Sequence, residues 1–244
     1  MIQSENFELP EPISDLNVLV MGAGLMGHSI AGVFAGAGAS VTVHDVDPRA
    51  LEAVPEKLGK QLVTVGADPA AANRVRLAAT LEAVAPGIHL VIEAVAEVLD
   101  VKQELFARLG TLLPHAVLAT NTSVFKIGEV ARHTSHPERV LGTHWWNPPH
   151  LIPLVEVVHG DSTNPAVADS VARLLGSVGK VPVHVRKDTP GFIGNRLQHG
   201  LRRCRSSKPE YATRRRSTSW SATALGCDCR SWDRWKMPTM WGWT

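Results

Sequence analysis

The alternation of apolar and polar positions in residues 16–45 predicts a strand, a helix and a second strand in succession. The segment LNVLVMGAGLMGHSIAGVFAGAGASVTVHD begins with a short apolar run, passes through a glycine turn into a stretch of small residues, and returns to an alternating run ending at Asp45. Short apolar runs bounded by turn residues are typical of buried strands, and alternation is typical of half-buried ones. Residues 16–45 are therefore predicted to form one strand–helix–strand unit.

The same rhythm continues along the chain as far as residue 186. Apolar runs predict further strands over 74–80, 89–95, 116–123, 139–146, 152–159 and 181–186, and amphipathic segments predict helices over 98–113 and 164–179. Helical crossovers of about a dozen residues or more join strands that run parallel. The predicted fold is therefore α/β, a Rossmann-type doubly wound and mostly parallel sheet with helices on both faces.

A glycine motif follows the first predicted strand and opens the first predicted helix. Gly22, Gly24 and Gly27 fit G-x-G-x-x-G, and Asp45 closes the next strand 23 residues after Gly22. In a dinucleotide site these glycines allow a tight turn, the close approach of a pyrophosphate and close helix–strand packing, while the carboxylate accepts from the ribose and repels a 2′-phosphate. A structural turn with a surface aspartate is the alternative. NAD is the predicted cofactor, and the motif residues predicted to contact it are Gly22, Gly24, Leu25, Met26, Gly27 and Asp45.

Polar residues cluster where the fourth, fifth and sixth predicted strands end. These residues are Glu93, Glu97, Asn121, Ser123, His144 and Asn147. Ligands of open parallel sheets bind outside the carboxyl ends of the strands. We therefore expect the rim that carries these side chains, Asn121 included, to face the cofactor and substrate.

The segment GTHWWNPPHLIPLVEV carries the residues best suited to acid–base chemistry. Oxidation of a secondary alcohol beside a nicotinamide needs a base for the hydroxyl proton, and histidine suits that role. His144 is the predicted base. Glu156, flanked by valines on the next predicted strand, is its predicted partner, because a carboxylate on the second ring nitrogen fixes the tautomer. Ser123 and Asn195 are predicted to hold the substrate oxygen.

Glu97 and Lys102 lie near the end of the fourth predicted strand and are predicted to border the nicotinamide. Taken singly, each site residue also has a structural interpretation. A strand-end histidine is usually a satisfied rim residue, and a lone glutamate is usually solvated. The functional interpretation depends on their occurring together after a nucleotide-binding motif.

Five separated motifs resemble those of the L-3-hydroxyacyl-CoA dehydrogenases, including the 3-hydroxybutyryl-CoA dehydrogenases. They occur in the same order and at nearly the same spacing across residues 16–199, and they read GAGLMG, VIEAVAEVLDVKQELF, ATNTS, THWWNPPHLIPLVEV and KDTPGFIGNRL. The resemblance implies an N-terminal Rossmann-type domain that binds NAD and a C-terminal helical domain that dimerises and helps form the acyl-CoA cleft. It implies oxidation of a 3-hydroxyacyl-CoA to the 3-oxoacyl-CoA, within fatty acid β-oxidation.

The resemblance also implies roles for individual residues. His144 would be the catalytic base and Glu156 its partner, Ser123 and Asn195 would contact substrate and cofactor, and the residues near the nicotinamide would be Glu97, Lys102 and Asn147. One departure concerns the two residues after His144, which are tryptophans where the family usually has phenylalanines. The NPPHLIPLVEV segment also resembles relatives similar to lambda-crystallin, which oxidise sugar acids such as L-gulonate. A sugar-acid dehydrogenase and an inactive NAD-binding remnant therefore stay open as alternatives.

Residues 201–244 differ in character from the rest of the chain. They hold eight Arg and two Lys against two Asp and one Glu, a net charge of +7 in a chain of net charge +2, so residues 1–200 carry −5. They also contain all three Cys, the only Tyr and five of the seven Trp, without helical periodicity, where the resemblance predicts amphipathic helices. We expect a frameshift between His199 and Ser206. The predicted division is an N-terminal extension (1–15), the NAD-binding domain (16–188), the start of the helical domain (189–202) and an aberrant tail (203–244).

The genetic code is compatible with that expectation. Codons for residues 208–244, read from their third base, permit a sequence containing GFGLR and GPLENAD, which resemble the family's helical domain. The basic tail is then not a nucleic-acid-binding arm, and the family's homodimer is expected to be impaired. The three cysteines have no paired metal spacing, so no metal is predicted.

The remaining composition is ordinary for a soluble globular protein, with 44% hydrophobic and 20% charged residues. The first residues carry glutamates and lack a basic start followed by an apolar block, and the run 29–43 is too short to cross a bilayer. We therefore expect a cytoplasmic protein without a membrane partner, acting on an acyl-CoA or a related 3-hydroxy acid.

Overall fold

The computed structural model describes residues 8–84 and 86–199, and in them eight strands form one sheet. The strands are β1 (Asn17–Met21), β2 (Ser40–His44), β3 (Arg76–Ala78), β4 (Leu90–Glu93), β5 (Val117–Thr120), β6 (Val140–Trp145), β7 (Leu154–His159) and β8 (Val181–Val185). Their order is β3-β2-β1-β4-β5-β6-β7-β8, and every pairing is parallel except that of β6 with β7. The predicted Rossmann-type, mostly parallel sheet is confirmed.

Six α-helices lie between β1 and β8 within the described residues. They are α1 (Leu25–Gly36), α2 (Pro48–Glu52), α3 (Val54–Thr64), α4 (Leu99–Leu112), α5 (Ile127–Val130) and α6 (Pro165–Ser177). The sequence reasoning did not identify α2 and α3. Each has a proline in its first turn, where proline is tolerated, and the Asp47 side chain caps α2 by accepting from the Arg49 N–H at 2.9 Å.

Both faces of the sheet are buried at its central strands, as the alternation along β1 illustrates. Val18 and Val20 belong to the apolar cluster that contains α1 and α6, whereas Leu19 and Met21 belong to the cluster that contains α4. Successive side chains of a strand point to opposite faces. A run that is apolar at every position is therefore covered by helices on both sides, which leaves the strand ends as the place for polar chemistry.

The antiparallel pair β6–β7 is a hairpin whose register places His144 directly opposite Glu156. Lys180 binds the loop between the two strands: its ammonium donates to the carbonyl of Pro149 at 2.6 Å and to that of Ile152 at 3.2 Å. Burial lowers the pKa of Lys180 from its ordinary value. This anchor fixes the loop and, through it, the alignment of the two strands.

The chain divides into two compact units, Met1–Ile193 and Gly194–Thr244. In the second unit the structure describes residues 194–199, which are helical. The domain division made from the sequence stays a prediction, and its aberrant tail lies outside the described residues. Resequencing of the coding DNA for residues 196–210 tests the expected frameshift, which an intact frame encoding the printed tail contradicts. Among the described helices, none combines the length and apolarity needed to cross a membrane.

Candidate active site

The glycine loop between β1 and α1 has the conformation of a dinucleotide cradle. Gly22 has a φ of 100°, and a Cβ there would lie 2.5 Å from the carbonyl oxygen of Ala94. A Cβ on Gly27 would lie 1.7 Å from the carbonyl oxygen of Gly22. Gly24 is the N-cap residue of α1, so no side chain occupies the N-terminus of the helix, and a Cβ on Gly24 would meet nothing within 4 Å. The first and third glycines are required by packing, while the second leaves open space at the N-terminus of α1, which is the position that holds the pyrophosphate in dinucleotide-binding folds.

Asp45 follows β2 and holds the glycine loop with its carboxylate. Oδ2 accepts from the Ala23 N–H at 2.6 Å, and Oδ1 accepts from the Asp47 N–H at 2.9 Å. The side chain is half-buried, so it stays accessible beside the loop. Leu25 is exposed and Met26 half-buried at the start of α1. The loop and this carboxylate therefore fit the adenosine half of NAD, although contact of each residue with the cofactor stays a prediction.

His144, the penultimate residue of β6, lies between a hydroxyl and a carboxylate. Nδ1 of its ring is 2.7 Å from Oε2 of Glu156, and Nε2 is 3.2 Å from Oγ of Ser123. His144 and Glu156 are both buried. An ionised carboxylate can only accept a hydrogen bond, so Nδ1 carries the proton and Nε2 of the neutral ring is an acceptor. The sequence predicted His144 at the end of the sixth strand; it is the penultimate residue of β6, where pairing with β7 orients it.

Two aromatic side chains enclose the imidazole. The ring centroid of His144 is 5.9 Å from that of Trp146 and 5.5 Å from that of Phe192. Phe192 has a φ of 47°, unusual for a residue with a side chain, and the next residue, Ile193, donates its N–H to Oε1 of Glu156 at 3.0 Å. The sequence reasoning did not identify Phe192, although its place in the TPGF segment after β8 was a usable signal.

A buried charge cluster, consisting of Glu93, Lys102 and Glu97, lies at the end of β4. The Lys102 ammonium is 2.6 Å from Oε1 of Glu93 and 3.0 Å from Oε2 of Glu97. Glu93 and Lys102 are almost completely buried, whereas 39% of the Glu97 side chain is exposed. Glu93 also accepts from the Thr120 hydroxyl at 2.6 Å and from the Val95 N–H at 2.8 Å. Each carboxylate is therefore compensated, as buried charges require.

Glu97 connects this cluster to the base. Its Oε1 accepts from the Thr122 hydroxyl and, at 3.0 Å, from the Ser123 N–H. Burial alone would raise the pKa of Glu97, but the hydrogen bond from Thr122 and the charge of Lys102 outweigh burial, and the pKa lies below its ordinary value. A chain of polar contacts thus leads from the buried acid of β4 through Ser123 to His144.

The other predicted site residues have different surroundings. The Asn121 side-chain oxygen accepts from the Trp145 N–H at 2.9 Å, so this residue ties the end of β5 to β6. Asn147 is exposed directly after β6. Asn195 belongs to the second unit, in the helical segment 194–199. Contact of these three residues with cofactor or substrate stays a prediction.

The fold and the glycine loop define an NAD-binding domain of the kind found in dehydrogenases. Residues 17–189 match the family model described as 3-hydroxyacyl-CoA dehydrogenase, NAD binding domain. The chain therefore belongs to the 3-hydroxyacyl-CoA dehydrogenase family.

Similar proteins agree with that assignment. A probable 3-hydroxybutyryl-CoA dehydrogenase of Bacillus subtilis is 40% identical over 189 residues, which cover 74% of this chain and 65% of that protein. A 5-formyl-3-hydroxy-2-methylpyridine 4-carboxylate 5-dehydrogenase of Mesorhizobium japonicum is 34% identical over 193 residues, covering 77% and 62%. The crystal structure of 3-hydroxybutyryl-CoA dehydrogenase from Escherichia coli superposes with a TM-score of 0.71 at 36% identity, covering 78% and 43%. The chain thus spans less than two thirds of the length of these relatives.

Proposed function

We propose that the chain is an NAD-dependent oxidoreductase that oxidises the 3-hydroxyl of a 3-hydroxyacyl-CoA to the 3-oxoacyl-CoA. His144 is the base, Glu156 holds it, and Ser123 and Asn195 orient the substrate oxygen. The observation that supports this most directly is the position of the His144 ring, 2.7 Å from a buried carboxylate on one side and 3.2 Å from a hydroxyl on the other.

In this proposal the protein residues handle one proton. NAD, when bound, supplies the acceptor for the hydride that leaves the substrate carbon. Nε2 of His144 takes the proton of the substrate hydroxyl, because Nδ1 already carries one and donates it to Glu156. The carboxylate stabilises the imidazolium that forms, and the Ser123 hydroxyl positions the substrate oxygen during the transfer.

The aromatic side chains around His144 keep water away from the imidazole. Trp146 and Phe192 pack around the imidazole, and His144 is only 6% exposed. Low polarity strengthens the interaction between an imidazolium and a carboxylate relative to bulk water. The buried pair is therefore suited to stabilising positive charge that develops on His144 during oxidation.

Steady-state turnover of 3-hydroxybutyryl-CoA with NAD, followed by NADH absorbance, tests the proposal. We expect the full 244-residue chain to produce NADH and His144→Ala to lower kcat by at least about a hundredfold. His115→Ala is the matched control, because His115 is exposed and precedes β5 at the opposite, amino end of the strand. Unchanged turnover in His144→Ala contradicts the mechanism, and tight NAD binding without any turnover identifies an inactive remnant.

A free 3-hydroxy acid is the second candidate substrate class. The chain is 36% identical to an L-carnitine dehydrogenase of Streptomyces griseus and 31% identical to lambda-crystallin of Oryctolagus cuniculus, and it has Trp145 and Trp146 where the family usually has phenylalanines. A panel of 3-hydroxybutyryl-CoA, 3-hydroxybutyrate, L-carnitine and L-gulonate separates the candidates. A kcat/KM that is highest for a free acid replaces the acyl-CoA assignment and leaves the role of His144 intact.

A further inference from the structure

We propose that the buried charge cluster Glu93–Lys102–Glu97 makes the site favour the oxidised over the reduced cofactor, with Glu93 as the residue that sets its net charge. Glu93 is fully buried and belongs to neither the base nor the glycine loop. The inference rests on the proposed function in one respect, which is the placement of the nicotinamide ring beside His144.

The cluster carries one net negative charge. Two carboxylates share one ammonium, at 2.6 Å from Glu93 and 3.0 Å from Glu97. Glu93 accepts hydrogen bonds from three donors, namely Lys102, the Thr120 hydroxyl and the Val95 N–H. Hydrogen bonds to a carboxylate favour the charged form. Removing the Glu93 charge would leave the pair Lys102–Glu97, whose net charge is zero.

The cluster lies between the glycine loop and the base. Glu93 pairs with Met21 across β4 and β1. The residues that follow them, Ala94 and Gly22, pack so closely that Gly22 tolerates no Cβ. On the other side, Glu97 accepts from the Ser123 N–H, and the Ser123 hydroxyl is 3.2 Å from His144. Under the proposed function, a nicotinamide that receives hydride from a substrate held by His144 would lie along this connection, next to Glu97.

The two cofactor forms differ in charge at that position. The oxidised nicotinamide ring carries a positive charge and the reduced ring is neutral, so a fixed negative charge nearby stabilises the oxidised form selectively. A unit charge acting over roughly 10 Å at an effective dielectric constant of about 20 changes a binding constant by about tenfold. We therefore expect Glu93→Gln to weaken NAD⁺ relative to NADH by about tenfold.

Equilibrium binding of both forms to the full chain measures this ratio without requiring turnover. NADH is titrated by its fluorescence and NAD⁺ by competition against it, and circular dichroism with thermal unfolding verifies the fold of each variant. Thr120→Val removes a neutral donor from Glu93 and Asp100→Asn removes an exposed charge from α4, so both should keep the wild-type ratio. The double variant Glu93→Gln/Thr120→Asp moves the carboxylate to the neighbouring position on β5, keeps a net charge of −1 and should restore the wild-type ratio.

The outcomes separate a charge effect from a packing effect. A ratio that falls in Glu93→Gln and recovers in the double variant supports the inference. If Glu93→Gln does not fold, Glu97→Gln brings the cluster to zero charge on a partly exposed side chain and should lower the ratio in the same way. A ratio within twofold of wild type in every folded zero-charge variant overturns the inference. Absence of turnover in the wild-type chain, together with the expected fall of the ratio in Glu93→Gln, counts against the proposed function alone. Absence of binding of both cofactor forms overturns both proposals.

Discussion

Replacing Glu156 by glutamine changes the acid–base site with almost no change in volume. In the native site Oε2 accepts from Nδ1 of His144 at 2.7 Å, and Oε1 accepts from the Ile193 N–H at 3.0 Å. Glutamine has one acceptor oxygen and one donor group, so it cannot accept from both. If its oxygen stays on Ile193, its NH₂ faces Nδ1, and the imidazole then moves its proton to Nε2. The nitrogen that should take the substrate proton is then already protonated.

The expected loss follows from that tautomer. The analogous change from carboxylate to amide behind a catalytic histidine in a serine protease lowers kcat by about 10⁴. Here we expect kcat to fall by about 10³ to 10⁴, which corresponds to roughly 4 to 5.5 kcal/mol of activation free energy. The unfolding free energy should change less, by about 1 to 3 kcal/mol for one unpaired buried group.

Two measurements test this expectation independently. Steady-state kinetics with 3-hydroxybutyryl-CoA give kcat, and nitrogen NMR of labelled histidine reports the His144 tautomer in the absence of substrate. Glu104→Gln, on the exposed side of α4, is the matched control and should behave as wild type. If Glu156→Gln keeps more than about a tenth of the wild-type kcat while the tautomer changes, the base does not act through Nε2. If the tautomer does not change, the hydrogen-bond argument itself is wrong.

Three further predictions concern the cofactor loop, the core and acid stability. Gly24→Ala should leave the melting temperature unchanged, because a Cβ at that position meets open space, but it should weaken NAD binding in a fluorescence titration by about tenfold or more. Gly22→Ala should lower the melting temperature, because Gly22 has a φ of 100° and a Cβ there would clash with Ala94. Arg139→Ala should lower the unfolding free energy in urea by about 3 kcal/mol, and Arg139→Met by less than half as much, because this buried guanidinium donates to carbonyls beyond the end of α4 and fills a large volume. Glu97→Gln should lower the unfolding free energy by less than about 1 kcal/mol at neutral pH. This difference between wild type and variant should vanish as the pH falls through the pKa of an unfolded glutamate, about 4.3, toward the lower pKa of Glu97 in the folded protein.

For each of these variants, a contrary result would contradict one particular step of the reasoning. Undiminished NAD affinity in Gly24→Ala removes the open glycine from the cofactor site. A larger loss in Arg139→Met than in Arg139→Ala means that the methionine stem does not fit the space. A stability gap between wild type and Glu97→Gln that grows on acidification reverses the sign assigned to the Glu97 pKa.

The pattern of apolar residues was sufficient to predict most of the sheet. The central strands of the sheet are buried on both faces, and their apolar runs are bounded by turn residues, as in HLVIEAV and RVLGTHWW. The helices α2 and α3 were not identified because Pro48 and Pro55 interrupt the pattern, although an aspartate followed by proline, as in Asp47–Pro48, is a usable signal for a helix N-terminus. The antiparallel direction of β7 follows from a loop of eight residues between β6 and β7, which is too short for a helical crossover.

The part of the candidate site that could be predicted consists of residues with suitable acid–base or hydrogen-bonding groups on or near the ends of predicted strands. His144, Glu156 and Ser123 were named from residue type and position, and the structure brings the three together. The ion pair between Glu93 and Lys102 was not predicted from the sequence. A glutamate that ends an apolar strand nine residues before a lysine of the next helix is nevertheless a usable signal for such a pair. The engagement of Asn121 with the Trp145 backbone depends on strand register, which propensities do not specify.

The hairpin β6–β7 contains the proposed base and its carboxylate within thirteen consecutive residues. Closing so small a loop costs little conformational entropy, whereas the glycine loop and Ser123 meet His144 only after distant parts of the chain have paired. The same compactness makes the pair sensitive to slippage. Because side chains alternate between faces, displacement of one strand by a single residue would turn one partner toward the opposite face of the sheet. Lys180, which donates to two carbonyls of the connecting loop, is therefore expected to keep the proposed base and its carboxylate in register.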